Sequence, residues 1–159
     1  MILKGLIDED FVNFYLPSMY LAFPNCSWKC DRGLCQNSPL TQSPNIEIST
    51  EKLVERFFEN PISKAFVFAG LEPFDSFSDM KILIKQIRDK DKKVPIVIYT
   101  GYTEEEIKKF YSEIFDFSNL IIKYGRYIPN QKPHYDSILK VKLASDNQYA
   151  KWINKESEN

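Results

Sequence analysis

The stretch Ala65-Phe66-Val67-Phe68-Ala69-Gly70-Leu71-Glu72-Pro73 opens as an unbroken apolar run and closes as a turn. Short uninterrupted runs of Val, Ile and Phe suit strands buried on both faces, as in a parallel sheet. A glycine followed by a proline after such a strand reads as an ordinary turn into a helix. Ile96-Val97-Ile98-Tyr99 and Leu120-Ile121-Ile122 repeat the same type of run downstream. Met19-Tyr20-Leu21-Ala22-Phe23 reads as the first strand, ended by Pro24, and Val141 to Ala144 as a last one.

Helical patterns fill the gaps. Met80, Leu83, Ile84 and Ile87 recur at i, i+3, i+4 and i+7, and Ile107, Phe110, Tyr111 and Ile114 do the same. Thr103 with Glu106 forms a capping box for the second pattern, and Asp75 or Ser76 can cap the first. Leu53, Val54, Phe57 and Phe58 mark a further helix after Ser49, limited by Pro61. The segment from Gln36 to Ile48 is polar with two prolines and reads as a long loop with room for a short helix. There is no internal repeat. Strand alternating with helix implies right-handed βαβ units. The expected fold is therefore a single α/β domain of about five strands, an open, mostly parallel sheet or a partial (βα) barrel. A closed eight-fold barrel takes about 250 residues, more than the 159 present.

Composition narrows the function classes. With 43% hydrophobic and 27% charged residues the chain reads as a soluble globular protein. A formal net charge of −1 argues against a broad grip on nucleic acid. Nowhere is there an apolar run of about 18 residues, so no membrane span is expected. The early Asp8, Glu9 and Asp10 do not suit a secretory leader, which makes the cytoplasm the expected location.

Three cysteines fall within ten residues: Cys26, Cys30 and Cys35, in a C-x3-C-x4-C pattern just after the first predicted strand. An odd, clustered count argues against a disulfide framework. Thiolates are soft ligands for iron–sulfur clusters and zinc. Four would close a [4Fe–4S] cluster, whereas three leave one iron open to a small molecule, as an open position distinguishes catalytic from structural zinc sites. Zinc completed by His134 or by an acidic residue stays open as the alternative. Trp28, between the cysteines, could shield a cluster from water.

In parallel α/β sheets, ligands bind at the carboxyl ends of the strands. Ala69-Gly70-Leu71-Glu72, Tyr99-Thr100-Gly101-Tyr102 and Lys123-Tyr124-Gly125-Arg126 each follow a predicted strand, as the cysteines do. All four would face one edge of the sheet. His134, the sole histidine, reads as a solvated loop residue. The run Arg88-Asp89-Lys90-Asp91-Lys92-Lys93 mixes both signs and reads as a solvated helix end. Neither a nucleophile elbow nor a phosphate-binding glycine loop occurs.

Taken together these motifs resemble the radical S-adenosylmethionine (SAM) activating enzymes, in particular the activating proteins of anaerobic ribonucleotide reductases. Asp10-Phe11-Val12-Asn13, Pro17-Ser18 and the first strand are similar to that family's approach to its cysteines. Asn37 matches its asparagine two residues after the last cysteine. Tyr99-Thr100-Gly101-Tyr102 resembles its Trp/Tyr-Thr-Gly-Tyr segment, and Ala69 to Pro73 its Gly-Gly-Glu-Pro turn. Tyr124-Gly125-Arg126-Tyr127 is similar to its Asp-Gly-x-Phe turn, and Ala144 to Gln148 to its Gly-Ser-x-Asn-Gln ending. Three differences accompany the match: two extra residues before Cys35, Leu71 at the second glycine of Gly-Gly-Glu, and Tyr124 at the acidic position.

The resemblance implies a partial barrel of radical SAM type over residues 1–154; residues 155–159 read as a disordered tail, as chain ends commonly are. It implies a [4Fe–4S] cluster on Cys26, Cys30 and Cys35, with SAM as the second cofactor. Ala69, Gly70, Leu71 and Glu72 would receive the SAM amino group. Thr100 and Gly101 would lie near the nucleoside, Leu34 would pack by the adenine, and Asn37 belongs to the same set. SAM would be cleaved reductively to a 5′-deoxyadenosyl radical that activates a large glycyl radical enzyme, with flavodoxin or ferredoxin as electron donor. Radical chemistry on a small molecule or peptide, and a non-catalytic metal-cluster protein, are the alternatives.

Overall fold

The apolar runs become neighbouring strands of one sheet. In a computed structural model, which describes residues 1–27 and 38–156, they are β3 (Ser18–Phe23), β5 (Ala65–Gly70), β6 (Ile96–Tyr99) and β7 (Leu120–Tyr124). The other strands are β1 (Ile2–Leu3), β2 (Gly5–Asp10), β4 (Ile46–Glu47), β8 (His134–Asp136), β9 (Val141–Leu143) and β10 (Tyr149–Ile153). The helices are α1 (Thr50–Glu59), α2 (Phe77–Lys90) and α3 (Glu104–Phe110). The main sheet runs β10-β7-β6-β5-β3-β2. Its four central strands are parallel, with Leu21 opposite Phe68, Phe68 opposite Ile98 and Ile98 opposite Ile122. The edge strands β2 and β10 are antiparallel. The protein is thus mixed α/β with a mostly parallel central sheet.

Alternation along the strands builds two cores. Phe66, Phe68, Ile96, Ile98, Leu120 and Ile122 face the helices and meet Leu53, Phe57, Leu83, Ile84 and Ile87. Ala65, Val67, Ala69, Val97 and Ile121 face the other way and meet Phe14, Leu139 and Leu143. That second face is covered by the 11–17 segment and the β8–β9 hairpin instead of by helices. Asp136 fastens the hairpin. Its Oδ1 accepts the Ile138 and Leu139 amides at 3.0 and 2.8 Å, and its Oδ2 the Ala150 amide of β10 at 3.2 Å. Two cores explain why the central strands read as continuous apolar runs.

Several expectations are corrected. Val141 to Ala144 is not the last strand of the sheet: residues 141–143 pair with β8 in the separate hairpin, and β10 takes the edge. The alternation Ala150, Trp152 against Tyr149, Lys151 was the signal for β10. Edge strand β2 carries Asp8, Glu9 and Asp10, and its charge hid it; such charge also blunts an exposed edge. The helix expected through Ile114 stops at Phe110, which is exposed, and a short 3-10 turn over Ser112–Asp116 buries Ile114 instead. His134 lies in a strand, not a loop, with Nε2 2.7 Å from the Gln148 carbonyl. Arg88 departs from the rest of its charged run. It is half-buried and donates to the carbonyls of Val94, Ser118 and Asn119 at 2.8, 2.9 and 3.0 Å. The Thr103–Glu106 capping box and the Ser49 cap are present. Among the described residues no helix is long and apolar enough to cross a membrane. Residues 157–159 of the expected tail lie outside the described residues.

Candidate functional site

The carboxyl ends of the parallel strands frame a cleft of about 470 Å³. Ala69, Gly70, Leu71, Thr100 and Gly101 line it, as do Gly125 and Arg126. The structure therefore brings together the strand-end turns singled out from the sequence. A volume of this size is in the range of small-molecule sites. Gly70 has φ +88°, and a Cβ there would lie 2.6 Å from the Ala22 Cα and the Phe23 nitrogen. Only glycine permits this approach of the β5 turn to β3. Gly125 (φ +103°) is held in the same way against Asn147.

Glu72 plays a different part from its neighbours. It is buried and does not line the cleft. Its carboxylate accepts the Thr100 hydroxyl at 2.9 Å, the Gly101 amide at 2.8 Å and the Phe74 amide at 3.1 Å. The side chain thus clasps the turn after β5 to the turn after β6. Burial pushes its pKa up to about 7, against the opposing pull of the Gly101, Phe74 and Thr100 donors, and the Asp75 charge adds to the rise.

The cysteine segment starts beside these turns. Cys26 is half-buried, and the preceding Asn25 carbonyl accepts the Glu72 amide at 2.7 Å. The Asn25 side chain donates to the Ser76 hydroxyl at 3.0 Å. The Ser27 amide donates to Asp75 Oδ2 at 2.5 Å, and the Tyr102 hydroxyl donates to Asp75 Oδ1 at 2.6 Å. Asp75 and Ser76 were expected to cap α2; Asp75 instead reaches the cysteine segment, and Ser76 makes no side-chain cap bond. Burial and the Asp75 hydrogen bond hold the Tyr102 hydroxyl far above the ordinary tyrosine range. Cys30, Cys35, Leu34, Asn37 and Trp28 lie outside the described residues.

The inner wall holds Tyr99 and Lys123, which open two of the strand-end segments, and Tyr20, which the sequence reading placed only in the first strand. Tyr20, Tyr99 and Lys123 project from β3, β6 and β7 into the cleft. Lys123 Nζ donates to the Gly125 carbonyl at 3.0 Å, and the Tyr99 hydroxyl donates to the Asn13 carbonyl. Burial, with the Asp10 charge, pushes both tyrosines up. For Tyr20 the available signal was a hydroxyl-bearing residue within the otherwise apolar run Met19 to Phe23. Arg126 reaches Glu106 through NH2 at 3.2 Å, while its buried Nε has no acceptor among the described residues. The Ala144 to Gln148 turn supports this wall. Asn147 donates to the Arg126 carbonyl at 2.7 Å and Gln148 to that of Gly125 at 3.2 Å. Tyr124, where the resembling family has an acid, is buried in the helix-side core and does not line the cleft.

The first cysteine follows β3 at the end of the sheet where ligands of parallel α/β proteins bind. Residues 18–149 match the model of the 4Fe-4S single cluster domain family, and the chain belongs to that family. The match spans all three cysteines, so this is an iron–sulfur protein whose cofactor is a [4Fe–4S] cluster. Neither the curated proteins nor the solved structures gave a match. Of the three thiols the described residues include Cys26, a soft ligand of the type such a cluster takes, next to Asn25 whose carbonyl holds the Glu72 amide. Among the described residues no three His, Cys, Asp or Glu side chains gather into a competing metal site.

Proposed function

We propose that the protein is a radical SAM enzyme with the partial (βα) barrel of that class, acting as an activase of a glycyl radical enzyme. The observation that carries this reading is the Glu72 clasp. It joins the Gly70 turn and the Thr100-Gly101 turn into one wall, and the Glu72 amide ties that wall to Asn25, next to the first cysteine. Cys26, Cys30 and Cys35 would hold the cluster, and the open iron would take SAM. Bound together, the cluster and SAM would supply one-electron cleavage of the sulfonium C5′–S bond, giving methionine and a 5′-deoxyadenosyl radical.

The chain's own residues divide the remaining work. The backbone of Ala69 to Leu71 offers carbonyls to an ammonium group, and Gly70 keeps that turn flush with β3. Arg126, with a buried Nε that lacks an acceptor among the described residues, suits a carboxylate. Thr100 and Gly101 form the wall against which a nucleoside would lie. Tyr20, Tyr99 and the covering hairpin exclude water from the inner end. At the mouth, Phe11 and Val12 are 67% and 73% exposed, and Val12 lines the cleft. Such an apolar rim suits a protein partner: a glycyl radical enzyme of the anaerobic ribonucleotide reductase type, reduced through flavodoxin or ferredoxin. The test is anaerobic reconstitution followed by dithionite and SAM. The expected products are 5′-deoxyadenosine and methionine in equal amounts. Full cluster incorporation without cleavage would refute the enzymatic reading.

A further inference from the structure

Asp75 stands in the 3-10 turn Pro73–Ser76, on the loop between β5 and α2, and is half-buried. Its two oxygens serve different elements. Oδ2 accepts the backbone amide of Ser27, the residue after Cys26, and Oδ1 accepts the Tyr102 hydroxyl from the loop after β6. Tyr102 is itself fixed. It is 4% exposed, its ring packs against Phe74 and Tyr111 at 6.5 and 5.4 Å between centroids, and its hydroxyl lies 3.4 Å from that of Tyr111. The Ser27 hydroxyl also lies 3.4 Å from the Tyr102 hydroxyl. A charged acceptor held by a buried aromatic thus grips the backbone on the far side of the first cysteine. The Glu72 amide grips the near side through Asn25.

We propose that Asp75, braced by Tyr102, is a positioning residue for the cluster: it fixes the backbone that aims Cys26. The role rests on the assignment of Cys26 as a cluster ligand. It is distinct from SAM chemistry, because Asp75 does not line the cleft. A carboxylate is suited to the task. It accepts two donors at once from two directions, and hydrogen bonds to a charged acceptor are stronger than neutral ones. Partners that orient a ligand alter metal retention without touching the metal.

The test compares the full chain, reconstituted anaerobically, as wild type, Asp75→Ala, Asp75→Asn, Tyr102→Phe and the exposed control Asp79→Ala. Iron release to a chelator and the electron paramagnetic resonance spectrum of the reduced cluster are followed, with the melting temperature of each apo protein. Asp75→Ala should release iron about 10- to 100-fold faster and shift or broaden the spectrum, while its apo melting temperature stays close to wild type. Asp75→Asn, which keeps an acceptor for Ser27, should recover most of the retention. Tyr102→Phe should fall between Asp75→Ala and wild type, and Asp79→Ala should match wild type. Retention and spectrum unchanged in Asp75→Ala would overturn the role while leaving the cluster intact. So would a loss in Asp75→Ala matched by an equal collapse of the apo fold, with Tyr102→Phe silent. A wild type that takes up neither iron nor sulfide overturns this role and the cluster assignment together.

Discussion

The Glu72 carboxylate and the Thr100 hydroxyl meet at 2.9 Å in the interior, across two different strand-to-helix turns. This contact sets the spacing of the two glycine-bearing turns that line the cleft. The same carboxylate also accepts two backbone amides, so removing it orphans several buried donors. Glu72→Ala should lower the stability of the apo protein by about 3 kcal/mol, read as a shift of the urea midpoint at unchanged slope. Thr100→Val should cost about 1 kcal/mol, since Gly101 and Phe74 still reach Glu72.

Glu72 also gives stability a pH dependence. Its folded pKa is raised from 4.5 to about 7, chiefly by burial. The native state therefore holds a proton that the unfolded chain has released between those two values. The contribution is fully present below about pH 4.5 and is lost as pH rises through about 7. Across that window Glu72→Gln should flatten the fall of unfolding free energy with pH, relative to wild type, in parallel urea titrations. Equal slopes in the two proteins would rule out Glu72 as the titrating group.

Gly70→Ala tests the close approach of β5 to β3. A Cβ at 2.6 Å from backbone atoms, on a residue with φ +88°, forces the turn to move. The expected loss is about 2 kcal/mol or more. Gly5→Ala is the comparison: there the Cβ would lie 3.3 Å from the Ala22 Cβ, and the cost should be smaller.

Arg126→Met should leave the fold in place, because its visible ion pair with Glu106 is partly exposed and contributes little. Under the proposed function it should weaken SAM binding about tenfold or more, measured by equilibrium dialysis on reconstituted protein. Unaltered binding would remove Arg126 from the carboxylate site.

The parallel strands were legible because burial on both faces leaves no polar residue to interrupt β5, and Ile96 to Tyr99 follows the same rule. The turns at Gly70 and Thr100 were legible as neighbours because parallel strands place their carboxyl ends at one edge. The edge strands were not: β2 ends in three consecutive acids, and β10 has only a weak alternation. Nor could periodicity show that Glu72 turns inward. A carboxylate after a strand normally reads as solvated, and only three donors converging from Thr100, Gly101 and Phe74 make its burial possible. Asp75 likewise read as a helix cap, since the amide that claims it comes from Ser27, far away in sequence.

The most direct measurement of the central claim is SAM cleavage by anaerobically reconstituted protein, wild type against Cys30→Ala. The account predicts about four irons per wild-type chain and reductant-dependent 5′-deoxyadenosine, both lost in Cys30→Ala. A wild type that carries the cluster but forms no 5′-deoxyadenosine would contradict it.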